Sequence, residues 1–453
     1  AGITASAVVL RPNHQPRRSV AGGGTACASS VVTVTGQASR CASQSSGVPD
    51  GPGASAVATS PAAAATLDPS HAVTTAPRAT TPAPKVDPTS PKANATTPRV
   101  DPTTPRASAT TPAPRPITPT PTPTPGALAV HVSGNHLVDA AGSTLQLHGV
   151  NRSGTEYACV QGFGPFDGAS DDASVAAIAS WHGVNAVRVP LNEDCWLGIN
   201  GFPNGGYSAA QYRAAIAAYV ARLHAHGLFA ILELHWSAPG AFAATWQEGM
   251  PDTDHSPAFW GQVASAYRND PATVFDLFNE PVGVTYPCWR DGCLYGGDPT
   301  NGRGQWQVAG MQGLVTAVRA TGATNVVMAG GLSFANDLTG WLAYRPADPA
   351  SQLAASFHTY NFNTCNSAGC WDAQVAPVAA QVPLVTGEIG EDDGAATFID
   401  AYMAWAEPHG VSYLAWTWDT WGCGNGAVLI SDYAGTPCPG MGAGFRAHLA
   451  ALP

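Results

Sequence analysis

Aromatic residues are missing from the first 126 positions of this 453-residue chain; all 38 of them lie beyond that point. A stretch without aromatic anchors, rich in Pro, Thr, Ser and Ala, cannot bury enough apolar surface to offset the entropy of ordering it. Residues 1–76 are therefore read as a low-complexity, disordered segment and residues 77–126 as a Pro/Thr-rich linker. The remainder, 127–453, is long enough for one domain with a sizeable core. Lysine is almost absent, confined to Lys85 and Lys92. The net charge of −11 averages two unlike parts, +6 before residue 127 and −17 after it. So acidic a domain excludes nucleic acid and anionic membranes as partners. No apolar run reaches the ~20 residues a membrane helix needs. No CxxC pair and no cluster of ligands at metal spacing occurs, which excludes a zinc site and leaves no metal and no cofactor expected. Asp252, Asp254 and Asp270 are read as solvated acidic surface rather than a calcium site. A basic-then-apolar leader is also missing from residues 1–10.

Residues 77–125 hold 15 prolines and a tandem repeat, KVDPTSPKANATTP followed by RVDPTTPRASATTP. That composition favours extended polyproline II and reads as a semi-rigid spacer. Asn94-Ala95-Thr96 matches a glycosylation sequon. Ten cysteines, eight of them in the domain, form an even set that points to disulfides and an oxidising, extracellular setting.

From Ala127 polar and apolar residues alternate around Gly-Asn and Gly-Ser turns, predicting an N-terminal β-hairpin. Eight apolar segments follow at 145–151, 185–191, 228–236, 273–281, 325–331, 354–361, 383–390 and 411–419. Their continuous interiors suit parallel strands buried on both faces. Helical patterns separate many of them, the clearest running from Ser208 to Gly227. Eight strands alternating with helices predict an α/β fold, a (β/α)₈ TIM barrel. No glycine-rich phosphate loop follows the first strand, which disfavours the open doubly wound alternative.

In such a barrel the site forms where strands end. The strand ends deliver Asn151, Arg188, His235 with Trp236, Asn279 with Glu280, His358 with Tyr360, Glu388, and Trp416 or Trp418, of which alternation turns only one inward. Glu280 and Glu388 sit on the fourth and seventh strands, on roughly opposite sides of the barrel. Cleaving a glycosidic bond needs such a pair, one carboxyl protonated and one ionised.

These segments (LHGVN, VRVP, ELHW, FNEP, FHTY, TGEIG and YLAWTWD) resemble glycoside hydrolase family 5, the cellulase-type members of a retaining β/α-barrel clan, across 127–453. The resemblance implies Glu280 as acid/base and Glu388 as nucleophile. It implies Arg188 and Tyr360 as hydrogen-bond partners of the nucleophile, Asn279 against the sugar 2-hydroxyl, His235 and His358 along the cleavage subsite, and Trp416 as its floor. Trp236, Trp196, Trp246, Trp289 and Trp421 are candidate outer subsites, with Tyr286 and Trp306 as further rim aromatics. Loop proximity pairs Cys159 with Cys195, Cys288 with Cys293, Cys365 with Cys370 and Cys423 with Cys438. The expected protein is a secreted, monomeric, retaining hydrolase of β-linked polysaccharide, first an endo-β-1,4-glucanase. β-Mannanase, xyloglucanase and β-1,3-glucanase are alternatives within the same chemistry. A non-catalytic carbohydrate-binding barrel is the alternative of another class, and a wall-attachment protein working through residues 1–126 is a third.

Overall fold

A computed structural model describes residues 128–296, 304–424 and 426–452. The two N-terminal segments and the Asn94 sequon lie outside them. Eight parallel strands close into a barrel in chain order. They are β1 (His148–Asn151), β2 (Ala186–Asn192), β3 (Phe229–Trp236), β4 (Thr273–Asp276), β5 (Val327–Gly330), β6 (Leu353–Tyr360), β7 (Leu384–Gly390) and β8 (Ser412–Ala415). Every residue of β2 and β7 is buried, as strands packed on both faces require.

Helices α1 (Asp172–Ala179), α2 (Ala209–Ala225), α3 (Ser256–Tyr267), α4 (Gly310–Ala320), α5 (Thr397–Ala406) and α6 (Met441–Ala450) follow strands β1 to β4, β7 and β8. Local sequence explains α2. Ser208 caps it, its side chain accepting from Gln211 N while Gln211 reaches back to the Ser208 backbone. Tyr212, Ile216, Tyr219, Val220 and Leu223 repeat at helical spacing and form its buried stripe. Between β5 and β7 the outer layer is instead built from short helical pieces, where the sequence shows no long apolar period. Helix α4 starts only at Gly310, because Trp306–Gln307 pairs as a short strand with Leu294–Tyr295.

The N-terminal hairpin is a three-stranded sheet of His131–Ser133, His136–Val138 and Thr144–Leu145. Thr144–Leu145 therefore belongs to this sheet rather than to the first barrel strand. Leu137 and Val130 join Leu147, Phe229, Ile231, Val274 and Met328 in an apolar cluster at the amino ends of the barrel strands. Val132 N also donates to Gln352 Oε1 at 2.7 Å. The sheet thus seals the end of the barrel opposite the carboxyl-terminal rim. Four disulfides, Cys159–Cys195, Cys288–Cys293, Cys365–Cys370 and Cys423–Cys438, lie on segments following β1 and β2, β4, β6 and β8.

Candidate active site

Arg188 on β2 is fully buried and organises the site. Its Nε donates to Asp276 Oδ2 at 3.0 Å, and Nη1 donates to Asn151 Oδ1 at 3.0 Å and Glu388 Oε1 at 2.7 Å. Nη2 donates to Asn279 Oδ1 at 3.0 Å and lies 3.6 Å from Glu233 Oε1. A guanidinium in fixed planar geometry can serve several oxygens at once, which an ammonium on a flexible stem cannot. Burial opposes its charge, but Glu233, Asp276 and Glu388 together hold it above the usual arginine range.

Glu388 is buried, and its second oxygen accepts from Tyr360 Oη at 2.6 Å. A register irregularity aims it. Between β6 and β7, Phe357 pairs with Thr386 but His358 pairs with Glu388, so Gly387 is the extra residue. A Cβ at Gly387 would stand 2.9 Å from His358 Nε2, which explains glycine there.

The β4 ladder stops at Asp276, four residues before Glu280. Leu277 N still donates to Met328 O and Asn279 N to Leu234 O, so the chain continues extended to the rim. Glu280 Oε1 lies 3.1 Å from His358 Nδ1, and Oε2 accepts from Gln247 Nε2 at 3.3 Å. Asn279 Nδ2 in turn donates to Gln247 Oε1 at 2.8 Å. Burial pushes the Glu280 carboxyl up to about 7, against the opposing pull of His235. Burial, with Arg188 and His235 nearby, pushes His358 down to about 4, so this imidazole is neutral. His235 differs. Burial again works against its charge, but Glu233, 3.0 Å from Nδ1, overrides it and raises His235 to about 9. One ligand atom each of Glu280, His358 and Glu388 lies within 4.8 Å of the others.

Trp416 is partly exposed, its ring parallel to His235 at 5.5 Å and 18°. Trp418 points the other way, fully buried and edge-on to Trp181 of the outer layer. Trp421 stands 6.4 Å from Trp416, and Tyr157 bridges Trp421 and Trp236 at 6.3 and 6.2 Å. Trp246 is partly exposed and donates to Glu248. Two candidate subsites offer no face to a ligand. Trp196 is buried against Phe259, and Trp289 is buried with Nε1 donating to Gly330 O. Trp306 is buried against Tyr295, and Tyr286 spends its hydroxyl on Asp337 O.

Glu233, Asp276 and Gln247 complete the arrangement, and sequence reasoning passed them over. The first two had a signal, a lone carboxylate inside an apolar strand (AILELHW; TVFDLF), which is costly unless paired. Gln247 sits on a loop and had none. Asp252, Asp254 and Asp270 are not gathered as one group: Asp270 pairs with His224 at 3.0 Å. Asp252 instead joins Glu193 and His255 in a second set of possible metal ligands, within 4.8 Å of one another. Ser256 Oγ donates there to Glu193 at 2.6 Å.

The cellulase family, glycosyl hydrolase family 5, matches residues 138–422. The chain belongs to it. With that it joins the O-glycosyl hydrolases. A mannan endo-1,4-β-mannosidase of Streptomyces lividans is 26% identical over 308 residues, 66% of this chain and 67% of that one. Endoglucanase CelA of the same organism is 23% identical over 330 residues, 69% of this chain and 61% of the relative. The chain thus spans about two thirds of the length of these curated relatives. Among solved structures, β-glucanase SdGluc5_26A from Saccharophagus degradans superposes with a TM-score of 0.55 at 19% identity, covering 73% of this chain and 98% of that one. The catalytic domain of Thermobifida fusca endoglucanase Cel5A gives 0.53 at 16%, covering 71% and 97%. These two likenesses establish the family 5 barrel as the fold.

Proposed function

We propose that this family 5 barrel is a retaining endo-β-1,4-glucanase with Glu280 as acid/base and Glu388 as nucleophile. The observation that carries the reading is the spacing of the two carboxylates, an oxygen of each within 4.8 Å of the other. Retaining enzymes hold the pair ~5–5.5 Å apart, whereas inverting enzymes leave ~6.5–9.5 Å for a water. Their surroundings differ as the roles demand. Burial keeps a proton on Glu280 up to about 7, while Arg188 and Tyr360 each donate to Glu388.

In the first step Glu388 attacks the anomeric carbon as the bond to the leaving oxygen breaks, and Glu280 passes its proton to that oxygen. A glycosyl ester of Glu388 results. Glu280, now a carboxylate, takes a proton from water. The water oxygen attacks the same carbon, freeing Glu388 and returning the sugar with its original configuration. Asn279, tied to Arg188 and Gln247, is the partner assigned to the sugar 2-hydroxyl, and Trp416 the floor beneath the ring. The four disulfides support secretion, and the acidic domain suits a neutral polysaccharide as sole partner of a monomer.

β-1,4-Mannan is the second reading, supported by the mannosidase among the relatives; the endoglucanase and the β-glucanase support glucan. The test is hydrolysis of soluble β-1,4-glucan, mannan, xyloglucan and laminarin, with product sizes followed over time. Fastest cleavage of β-1,4-glucan to mid-sized fragments is expected. Fastest cleavage of mannan would replace the glucan reading, and no cleavage of any polymer would overturn both. Glu388→Ala should lose ~10⁴-fold or more, with added azide restoring turnover; wild-type activity in that variant would remove Glu388 as nucleophile.

A further inference from the structure

Gln247 reaches the site from the loop between β3 and α3, and that loop is fixed on both sides of it. Before it, Asn192 Nδ2 donates to Ala244 O at 2.7 Å and Ala244 N donates to Asp194 Oδ2 at 2.9 Å. After it, Val282 N, two residues beyond Glu280, donates to Gly249 O at 2.8 Å. A Cβ at Gly249 would stand 3.0 Å from Val282 O and 2.6 Å from Tyr295 Oη, so glycine lets the loop lie against the Glu280 segment.

Arg188 sets the direction of the hydrogen bonds around Gln247. A guanidinium has donors only. Nη2, 3.0 Å from Asn279, therefore meets the amide oxygen, which turns Asn279 Nδ2 toward Gln247. Gln247 Oε1 accepts from it at 2.8 Å. That leaves Gln247 Nε2 to donate to Glu280 O at 3.2 Å and to Glu280 Oε2 at 3.3 Å. The same guanidinium donates to Glu388 Oε1 at 2.7 Å. It thus addresses one carboxylate directly and the other through two amides. An amide serving only as a loop tie would stop at the backbone oxygen; this one continues to the carboxyl.

We infer that Gln247 is a positioning residue for the acid step: it holds the Glu280 carboxyl in the orientation Arg188 dictates and donates to Oε2 as the proton leaves. A hydrogen bond to an ionised carboxylate is roughly twice as strong as one to a neutral group. The bond therefore strengthens as Glu280 protonates the leaving oxygen, and an interaction stronger in the transition state than before it lowers the barrier. The inference rests on the acid/base assignment of Glu280. The other charged and titratable groups facing Glu280 are His358 and Tyr360 on β6, Glu388 on β7, Arg188 on β2, and Glu233 and His235 on β3. All of them remain when Gln247 is replaced.

Gln247→Met keeps the length of the side chain and removes its hydrogen bonds; Gln247→Leu is a second variant for the same measurements. Each is compared with wild type on two substrates by kcat/KM, which reports the first step. Cellopentaose needs a proton on its leaving oxygen, whereas the phenolate of dinitrophenyl β-cellobioside leaves without one. Mannopentaose and dinitrophenyl β-mannobioside serve if mannan is the polymer turned over. The rate on the pentasaccharide relative to the aryl glycoside should fall about ten-fold. Unfolded protein, or a weakened contact of Asn279 with the sugar, lowers both rates alike and cancels in the ratio. The alkaline limb on cellopentaose should also move up from about 7, by about half a pH unit or more, because the Gln247 donor favours the ionised form of Glu280. A ratio or a limb unchanged from wild type overturns the inference. The acid/base reading falls by a different result, cleavage of cellopentaose at the wild-type rate by Glu280→Gln with Gln247 intact.

Discussion

Arg188 shows what one side chain can impose when water is excluded. Three carboxylates face it, and removing it would leave Glu233, Asp276 and Glu388 mutually repelling in a buried space. Asp276 is already pushed up to about 7, by burial that outweighs Arg188's pull. Glu280 carries a sharper consequence. Folded, it holds its proton up to about 7; unfolded, it releases it near ~4.3. The folded state therefore binds more protons between those values. The stability this group contributes is complete below ~4.3 and is lost as pH rises through about 7. Glu280→Gln should melt higher than wild type by a few degrees at about pH 8 and nearly level with it at about pH 4; equal shifts at both would refute the buried-proton account. The activity limb has the same origin. With the proposed acid role, log kcat/KM should fall as pH rises above about 7, where Glu280 loses its proton. His235 gives an independent readout: Glu233→Gln should bring its titration by NMR down from about 9 toward ~6.5.

At the scale of elements, strand ends do the positioning and loop ties hold what they position. The Gly387 bulge turns Glu388 to face His358. Cys159–Cys195 joins the segments after β1 and β2 across 36 residues. Closing a loop of that length limits the unfolded chain by roughly 3–4 kcal/mol. Replacing both cysteines with serine should lower the unfolding free energy by about that amount while the barrel's circular dichroism is unchanged. A loss below ~1 kcal/mol would show that neighbouring packing already closes the loop. Much at this scale was legible. Ser208 and Gly227 announced α2, and the apolar runs announced every barrel strand, because helix ends and strand burial are written in local sequence. The extents of β4 and β8 were not, since where a ladder stops depends on the neighbour's register rather than on the strand's own residues.

For the whole molecule, aromatic distribution and charge separate residues 1–126 from the barrel. If the barrel alone holds the chemistry, a chain beginning at residue 127 should hydrolyse soluble polymer at the full rate. Loss of that activity would assign the N-terminal segment a share in it.

Apolar alternation and the strand-end motifs were enough by themselves to determine the barrel and its family, and they singled out Glu280 and Glu388 as the pair proposed for the chemistry, because each signal lies within a few neighbouring residues. The tertiary structure decided the rest. It chose Trp416 over Trp418 and buried Trp196 and Trp289. It also gathered Glu233 and Asp276 around Arg188. Arg188 and Glu388 are 200 residues apart in the chain and 2.7 Å apart in space. Burial and pairing of that kind arise only when the barrel closes, so no local pattern can carry them.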